Sequence, residues 1–238
     1  MKDGRPEVPN SQVHTSVKNM IYIFGDSYVN NDYDSPYEVV PWFERFGDTK
    51  NFANNGTGPQ WSFDNLYDQE CHIKPNDIII FNISDYTRIN WLDIRDIPPY
   101  NQAHIGYDEN LDEVVIHNDT LDTFDKDYAL KFYRTHFYEL QESQLRNILY
   151  LSFIADKLYC KVFAMSSSPE ETDVSSLNRE NFYFLPINLD SISYTDEYLD
   201  HVDLRKCHFT DHNHDVMYQL FDDFLNGNIK KLEKYVWE

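Results

Sequence analysis

Asp77-Ile78-Ile79-Ile80-Phe81-Asn82-Ile83 is the stretch whose composition decides the fold class. Its apolar residues are branched or aromatic and run without alternation, which marks a strand buried on both faces, as in a parallel sheet. Upstream, Met20-Ile21-Tyr22-Ile23-Phe24 is a second such run, and it stops abruptly at Gly25-Asp26-Ser27. That pattern is a buried strand feeding a turn. Helical spacing follows over 37–46, then a brief strand at 51–53, the loop Asn54-Asn55-Gly56-Thr57-Gly58-Pro59 and a helix over 60–67.

Downstream of the 77–83 strand, residues 88–123 are acidic, contain proline and show weak periodicity, so an irregular excursion is expected there. The longest helical pattern runs over 125–157, with Leu130, Phe137, Leu140, Ile148, Leu151 and Ile154 on one stripe. Strands at 160–165 and 182–187 and a final helix at 211–225 complete the chain. Strand and helix alternate throughout. The order predicts a three-layer α/β/α sandwich with a mostly parallel sheet, one domain over 20–238 behind an extended arm at 1–19. In such sheets ligands bind beyond the carboxyl ends of strands. The loops after Phe24, Ala53, Ile83 and Ile187 are therefore the ones to read for chemistry.

Composition narrows the function. The chain has 238 residues, 41% hydrophobic and 16% aromatic, enough apolar material for a sizeable core. Its formal charge is −21, from 41 acidic and 20 basic residues, a field that repels phosphate backbones and anionic membranes. Nucleic acid and membrane are thus excluded as expected partners. A phosphate or nucleotide site is excluded as well, because Asp26, Asn30, Asn31, Asp32 and Asp34 crowd the loop after the first strand.

No run of eighteen apolar residues and no signal-peptide core is present, so a cytoplasmic or assembly-bound location is expected. The arm, with Gly4, Pro6 and Pro9, has the composition of a segment that is loose or held by a neighbouring subunit. Cys71, Cys160 and Cys207 form no CxxC pair, which argues against a disulfide framework or zinc site. Cys207 beside His208 is a poor thiol nucleophile, since adjacent side chains rarely face each other. His104, His117, His136 and His201 lack ligand spacing and are expected at the surface or in ordinary hydrogen bonds. Most of the 18 tyrosines, 16 phenylalanines and 4 tryptophans must be core. Trp91, Tyr100 and Tyr107 lie on the 88–123 excursion, where stacking on sugar faces competes with ordinary packing.

Ser27 stands three residues beyond a buried strand, which places its hydroxyl at the carboxyl edge of the sheet. A Gly-Asp-Ser turn occurs often by chance, and its serine can simply cap a helix. Four blocks together say more: Gly25-Asp26-Ser27, Asn51-Phe52-Ala53-Asn54-Asn55-Gly56, the 78–83 strand with Ser84-Asp85, and a C-terminal histidine. In order and spacing they resemble the SGNH (GDSL-like) hydrolases, over most of 20–225.

The resemblance implies a flavodoxin-like sheet and an esterase with Ser27 as nucleophile and a C-terminal histidine as general base. It implies backbone N–H groups of Ser27 and Gly56 as oxyanion donors, and neither metal nor organic cofactor. The substrate class it implies is an acyl ester, plausibly an O-acetyl group on a glycan.

Two positions depart from the family pattern. Where the third block carries Gly-x-Asn-Asp, this chain has Asn82-Ile83-Ser84-Asp85, so Ser84 takes the place of the donor asparagine. Asn82 is expected to point into the layer beside the strand unless the register slips by two. In the fourth block two readings stand. Asp211-His212-Asn213-His214 is a literal D-x-x-H match, with Asp211 and His214 in the acid and base roles. His208-Phe209-Thr210 followed by Asn213-His214 and an apolar helix matches the commoner form, with Thr210 as helix cap. On that reading Asp203 is the nearest acid, and a main-chain carbonyl is the substitute. The aromatic composition and the Asn-His pair in the last helix also look similar to proteins of marine phage genomes. That likeness implies a rival role as a structural or carbohydrate-binding virion component.

Overall fold

The computed structural model describes residues 19–30, 40–54, 57–85, 126–167, 174–192, 209–229 and 232–237, together with a short ribbon at 105–107 and 114–116. Strands β1 (Ile21–Phe24), β2 (Thr49–Asn51), β3 (Ile78–Ile83), β6 (Lys161–Ser166) and β7 (Phe182–Asn188) form one five-stranded sheet. Its order is β2-β1-β3-β6-β7, and all neighbours are parallel. Counting only these strands, the order is 2-1-3-4-5, that of the flavodoxin-like doubly wound sheets. β4 (Ile105–Tyr107) and β5 (Val114–Ile116) pair antiparallel within the stretch expected to be irregular.

The uninterrupted apolar runs have the expected cause: the central strands are covered on both sides. Ile21, Ile23, Ile78, Ile80, Phe163, Met165, Tyr183 and Leu185 face one layer, with helix α3 (Asp211–Leu225) and a 3₁₀ turn at Trp42–Phe46. Tyr22, Phe24, Ile79, Phe81, Ile83, Val162, Ala164, Phe182 and Phe184 face the other, with α1 (Pro59–Gln69) and α2 (Lys126–Leu158). The α3 layer is strongly aromatic, with Trp42 edge-on to both Phe163 and Phe221. Of the stripe expected on α2, Ile148, Leu151 and Ile154 are buried and Leu140 is half-buried. The side chains of Leu130 and Phe137 lie outside the described set.

Two boundaries differ from the sequence reading. The brief strand ends at Asn51, before Phe52 and Ala53, because the Asn51 side chain closes a turn there: Oδ1 accepts from Ala53 N at 2.9 Å. Within the helical pattern over 37–46, the described residues from Val40 on hold a 3₁₀ segment after Pro41, ended by Gly47 at φ 107°. Residues 31–39 lie outside the described part, as do 1–18 of the expected arm.

Helix α3 spans the expected residues, and its ends explain why. Thr210 Oγ1 accepts from Asn213 N at 3.1 Å, closing the first turn. Its last turn has no basic residue, but Lys161 at the start of β6 donates Nζ to the Leu225 carbonyl at 2.6 Å. A cation there complements the helix dipole. The same contact puts the end of α3 at the amino edge of the sheet, and hence its start at the carboxyl edge.

Candidate active site at the carboxyl edge

β1 winds outward to β2 and its other neighbour is β3, so the gap beyond β1 and β3 is the topological switch point of the sheet. The Gly25-Asp26-Ser27 turn occupies it. Gly25 has φ 152°, and a Cβ there would lie 2.6 Å from Val29 Cγ2 and 2.8 Å from Asn82 Cβ. No other residue fits. Asp26, Tyr28, Val29 and Asn30 are buried around it, whereas Ser27 is half-buried. Asp26 Oδ1 accepts from Tyr28 N at 3.1 Å and from Asn82 Nδ2 at 2.6 Å, and Val29 N donates to the Asp26 carbonyl at 3.1 Å. The residues on either side of Ser27 are therefore tied to a single carboxylate oxygen.

The second loop is docked on this turn. Asn54 N donates to the Gly25 carbonyl at 3.1 Å, and the Thr57 hydroxyl is shared between the Asn54 carbonyl at 2.8 Å and the Gly25 carbonyl at 3.3 Å. Asn51 Nδ2 donates to the Val29 carbonyl at 2.7 Å. Asn55 and Gly56 lie outside the described residues, and Asn54 and Thr57, which flank them, both lie against Gly25, two residues before Ser27. Helix α1 starts directly after, behind Gly58, with its amino terminus at the same edge.

Beyond β3, Ser84 is fully buried, and its Oγ has no hydrogen-bond partner among the described residues. Asn82 is also fully buried, with its Nδ2 committed to Asp26 and its Oδ1 without a described partner. Asn82 thus points into the layer beside the strand, as its parity with Ile78 and Ile80 requires. Ser167 N donates to the Ile83 carbonyl at 3.1 Å, and Gln144 Nε2 of α2 donates to Ser166 Oγ at 2.5 Å, closing the neighbouring strand end.

The fourth block reaches the turn through Phe209. This residue is buried, and its ring lies 5.5 Å from that of Tyr28. The residue after Ser27 thus touches the residue after His208. His208 and Asp203 themselves lie outside the described residues, as does Cys207. Asp211 is the first residue of α3, directly after the Thr210 cap. His214 is 0% exposed within α3 and meets Phe209 edge-on at 5.6 Å. Asn213 Nδ2 donates to the Ile192 carbonyl at 2.8 Å, pinning the start of the helix to the segment after β7.

The remaining titratable groups read simply. Cys160 is buried at the opposite edge, and desolvation pushes its thiol up to about 12, where it is unreactive. Cys71 is exposed. His136 pairs with Glu139 at 2.9 Å on α2, whereas His104, His117 and His201 lie outside the described residues. Among the described residues no cluster of His, Cys, Asp or Glu could hold a metal, and no helix is long and apolar enough to cross a membrane.

Sequence reasoning missed three features: the Asn82–Asp26 bond, the grip of Thr57 on Gly25 and the Phe209–Tyr28 contact. A signal existed for the first, since an asparagine inside a strand buried on both faces needs a partner.

No protein-family model matches the chain, and no curated protein does either. Among solved structures, protein YxiM from Bacillus subtilis is similar at 16% identity and a TM-score of 0.40. The match covers 88% of this chain and 56% of that one, so the chain spans little more than half of that protein's length. The fold assignment rests on the strand order and layers described above.

Proposed function

We propose that this chain is a serine hydrolase of the SGNH type acting on small acyl esters, with Ser27 as nucleophile. The observation that carries the reading is the Gly25-Asp26-Ser27 turn at the switch point, where Ser27 alone reaches toward the surface from a buried and doubly anchored turn. The Tyr28–Phe209 contact supports His208, one residue upstream of Phe209, as the general base. Full burial of His214 in α3 favours a packing role for it.

In this mechanism His208 takes the Ser27 proton as Oγ attacks the ester carbonyl. The tetrahedral oxyanion rests on the N–H groups of Ser27 and Gly56 and on Ser84 Oγ. Collapse expels the alcohol, which takes the proton from His208. Water, deprotonated in turn by His208, then releases the acid and restores Ser27. Asp203 or a main-chain carbonyl orients the imidazole. An O-acetylated carbohydrate is the proposed substrate class.

A fluorophosphonate probe tests the nucleophile. Mass mapping should find the adduct on Ser27, and Ser27→Ala should remain folded while losing both labelling and hydrolysis of p-nitrophenyl acetate. Equal hydrolysis by wild type and variant, above the buffer rate, would remove Ser27 from the mechanism. A folded wild type that neither labels nor hydrolyses would replace the enzyme with a structural or carbohydrate-binding component.

A further inference from the structure

We infer that Asn82 is a positioning residue for the nucleophile, latching the Ser27 turn to the strand that ends in Ser84; the inference rests on the esterase reading above. β1 and β3 pair in register, Ile23 with Ile80 and Phe24 with Phe81, so the next step brings Gly25 opposite Asn82. There Asn82 meets the turn twice. Its Cβ lies where a side chain at position 25 would have to go, and its Nδ2 donates to Asp26 Oδ1 at 2.6 Å. Both residues are 0% exposed.

An asparagine is a poor choice for this strand unless its amide has a task. It interrupts an otherwise apolar run, and its own Oδ1 is buried without a partner among the described residues. Leaving such an oxygen unpaired is unfavourable. The bond to Asp26 offsets that, because hydrogen bonds to a carboxylate are roughly twice as strong as neutral ones. Since Asp26 Oδ1 also accepts from Tyr28 N, the carboxylate straps the residues before and after Ser27. Asn82 fixes that strap to β3, and Ser84 follows two residues later on the same strand end. The nucleophile and the proposed third oxyanion donor are thereby held in one frame, through a side chain that touches no reacting atom.

The experiment is a double-mutant cycle. Asn82→Ala removes the amide donor, Asp26→Ala removes its acceptor, and D26A/N82A removes both. With full-length protein and p-nitrophenyl acetate, each single variant should lose about 10²-fold in kcat per folded molecule, with KM nearly unchanged, as expected for a misplaced reacting group. The double variant should be about as slow as the slower single one, a coupling that independent sites would not show.

A double variant whose loss is the product of the two single losses overturns the latch. So do single variants that keep wild-type kcat. If the single variants do not fold, Asn82→Ser reports instead: a kcat reduced about tenfold or more supports the latch, and an unchanged one overturns it. A wild type that is neither labelled at Ser27 nor active overturns the esterase reading and the positioning role together, an outcome distinct from a labelled wild type whose variants are indifferent.

Discussion

Two aspartates are buried at opposite ends of the same pair of strands, and they are used differently. Asp77, just before β3, accepts from Met20 N through Oδ1 at 3.0 Å and from Lys74 N through Oδ2 at 2.8 Å. Both donors are backbone, and they join the starts of β1 and β3 into a finished edge. Asp26, just after β1, takes one backbone and one side-chain donor on a single oxygen. Around it Ser84 Oγ and Asn82 Oδ1 remain without described partners. Native interiors rarely leave such groups unpaired, and on the proposed esterase reading the Ser84 hydroxyl is kept for the substrate's oxyanion. The amino edge holds the sheet together. The carboxyl edge carries the Ser27 turn.

The sharpest way to break this contrast is at the two histidines of the carboxyl edge. His208→Ala should reduce esterase activity by about 10⁴–10⁶-fold with the thermal midpoint nearly unchanged, as for other removed general bases. His214→Ala should do the reverse, lowering stability by about 2–4 kcal/mol through a core cavity while the folded fraction stays active. If His214→Ala abolishes turnover and His208→Ala spares it, the base has been assigned to the wrong residue.

Next in size is Ser84→Ala. Loss of one oxyanion donor should lower kcat by about 10²–10³-fold with little change in KM. Ser84→Asn should keep or raise kcat if the longer side chain reaches the same oxyanion. A serine variant without effect on kcat would leave the buried hydroxyl with no part in the reaction.

At the other edge, Asp77→Ala should lower unfolding free energy by about 2–3 kcal/mol, since it removes the acceptor of two backbone donors. Its kcat per folded molecule should match wild type, measured beside a urea titration. A large kcat loss there would show that the two edges are coupled and that the contrast is false. The smallest effect is expected from Thr210→Ala, which removes the α3 cap and should lower stability by about 1 kcal/mol. A calorimetric midpoint unchanged from wild type would count against the cap.

Much of the layout was legible residue by residue. The unalternating runs at 77–83 and 20–24 foretold strands covered on both faces, and the two opposed core layers are that prediction in space. Thr210 and the apolar spacing behind it predicted α3 with both ends in place. The brief strand was displaced because Asn51 spends its side chain on a turn, a choice that β-propensity does not register. The hairpin pairing of β4 with β5 was not legible either, since three-residue strands are too short to show a period.

What the sequence determined by itself is local: which segments are strands or helices, and where the final helix is capped. These follow from side-chain size, branching and spacing, which act over a few residues. What the tertiary structure decided is which distant groups meet. Asn82 faces Asp26 because β1 and β3 pair in one register, and a one-residue slip would turn the amide to the other layer. Phe209 reaches Tyr28 because α3 runs back across the sheet to start at its carboxyl edge. Strand order and register depend on packing the whole set of layers at once, and no short window of sequence carries that information.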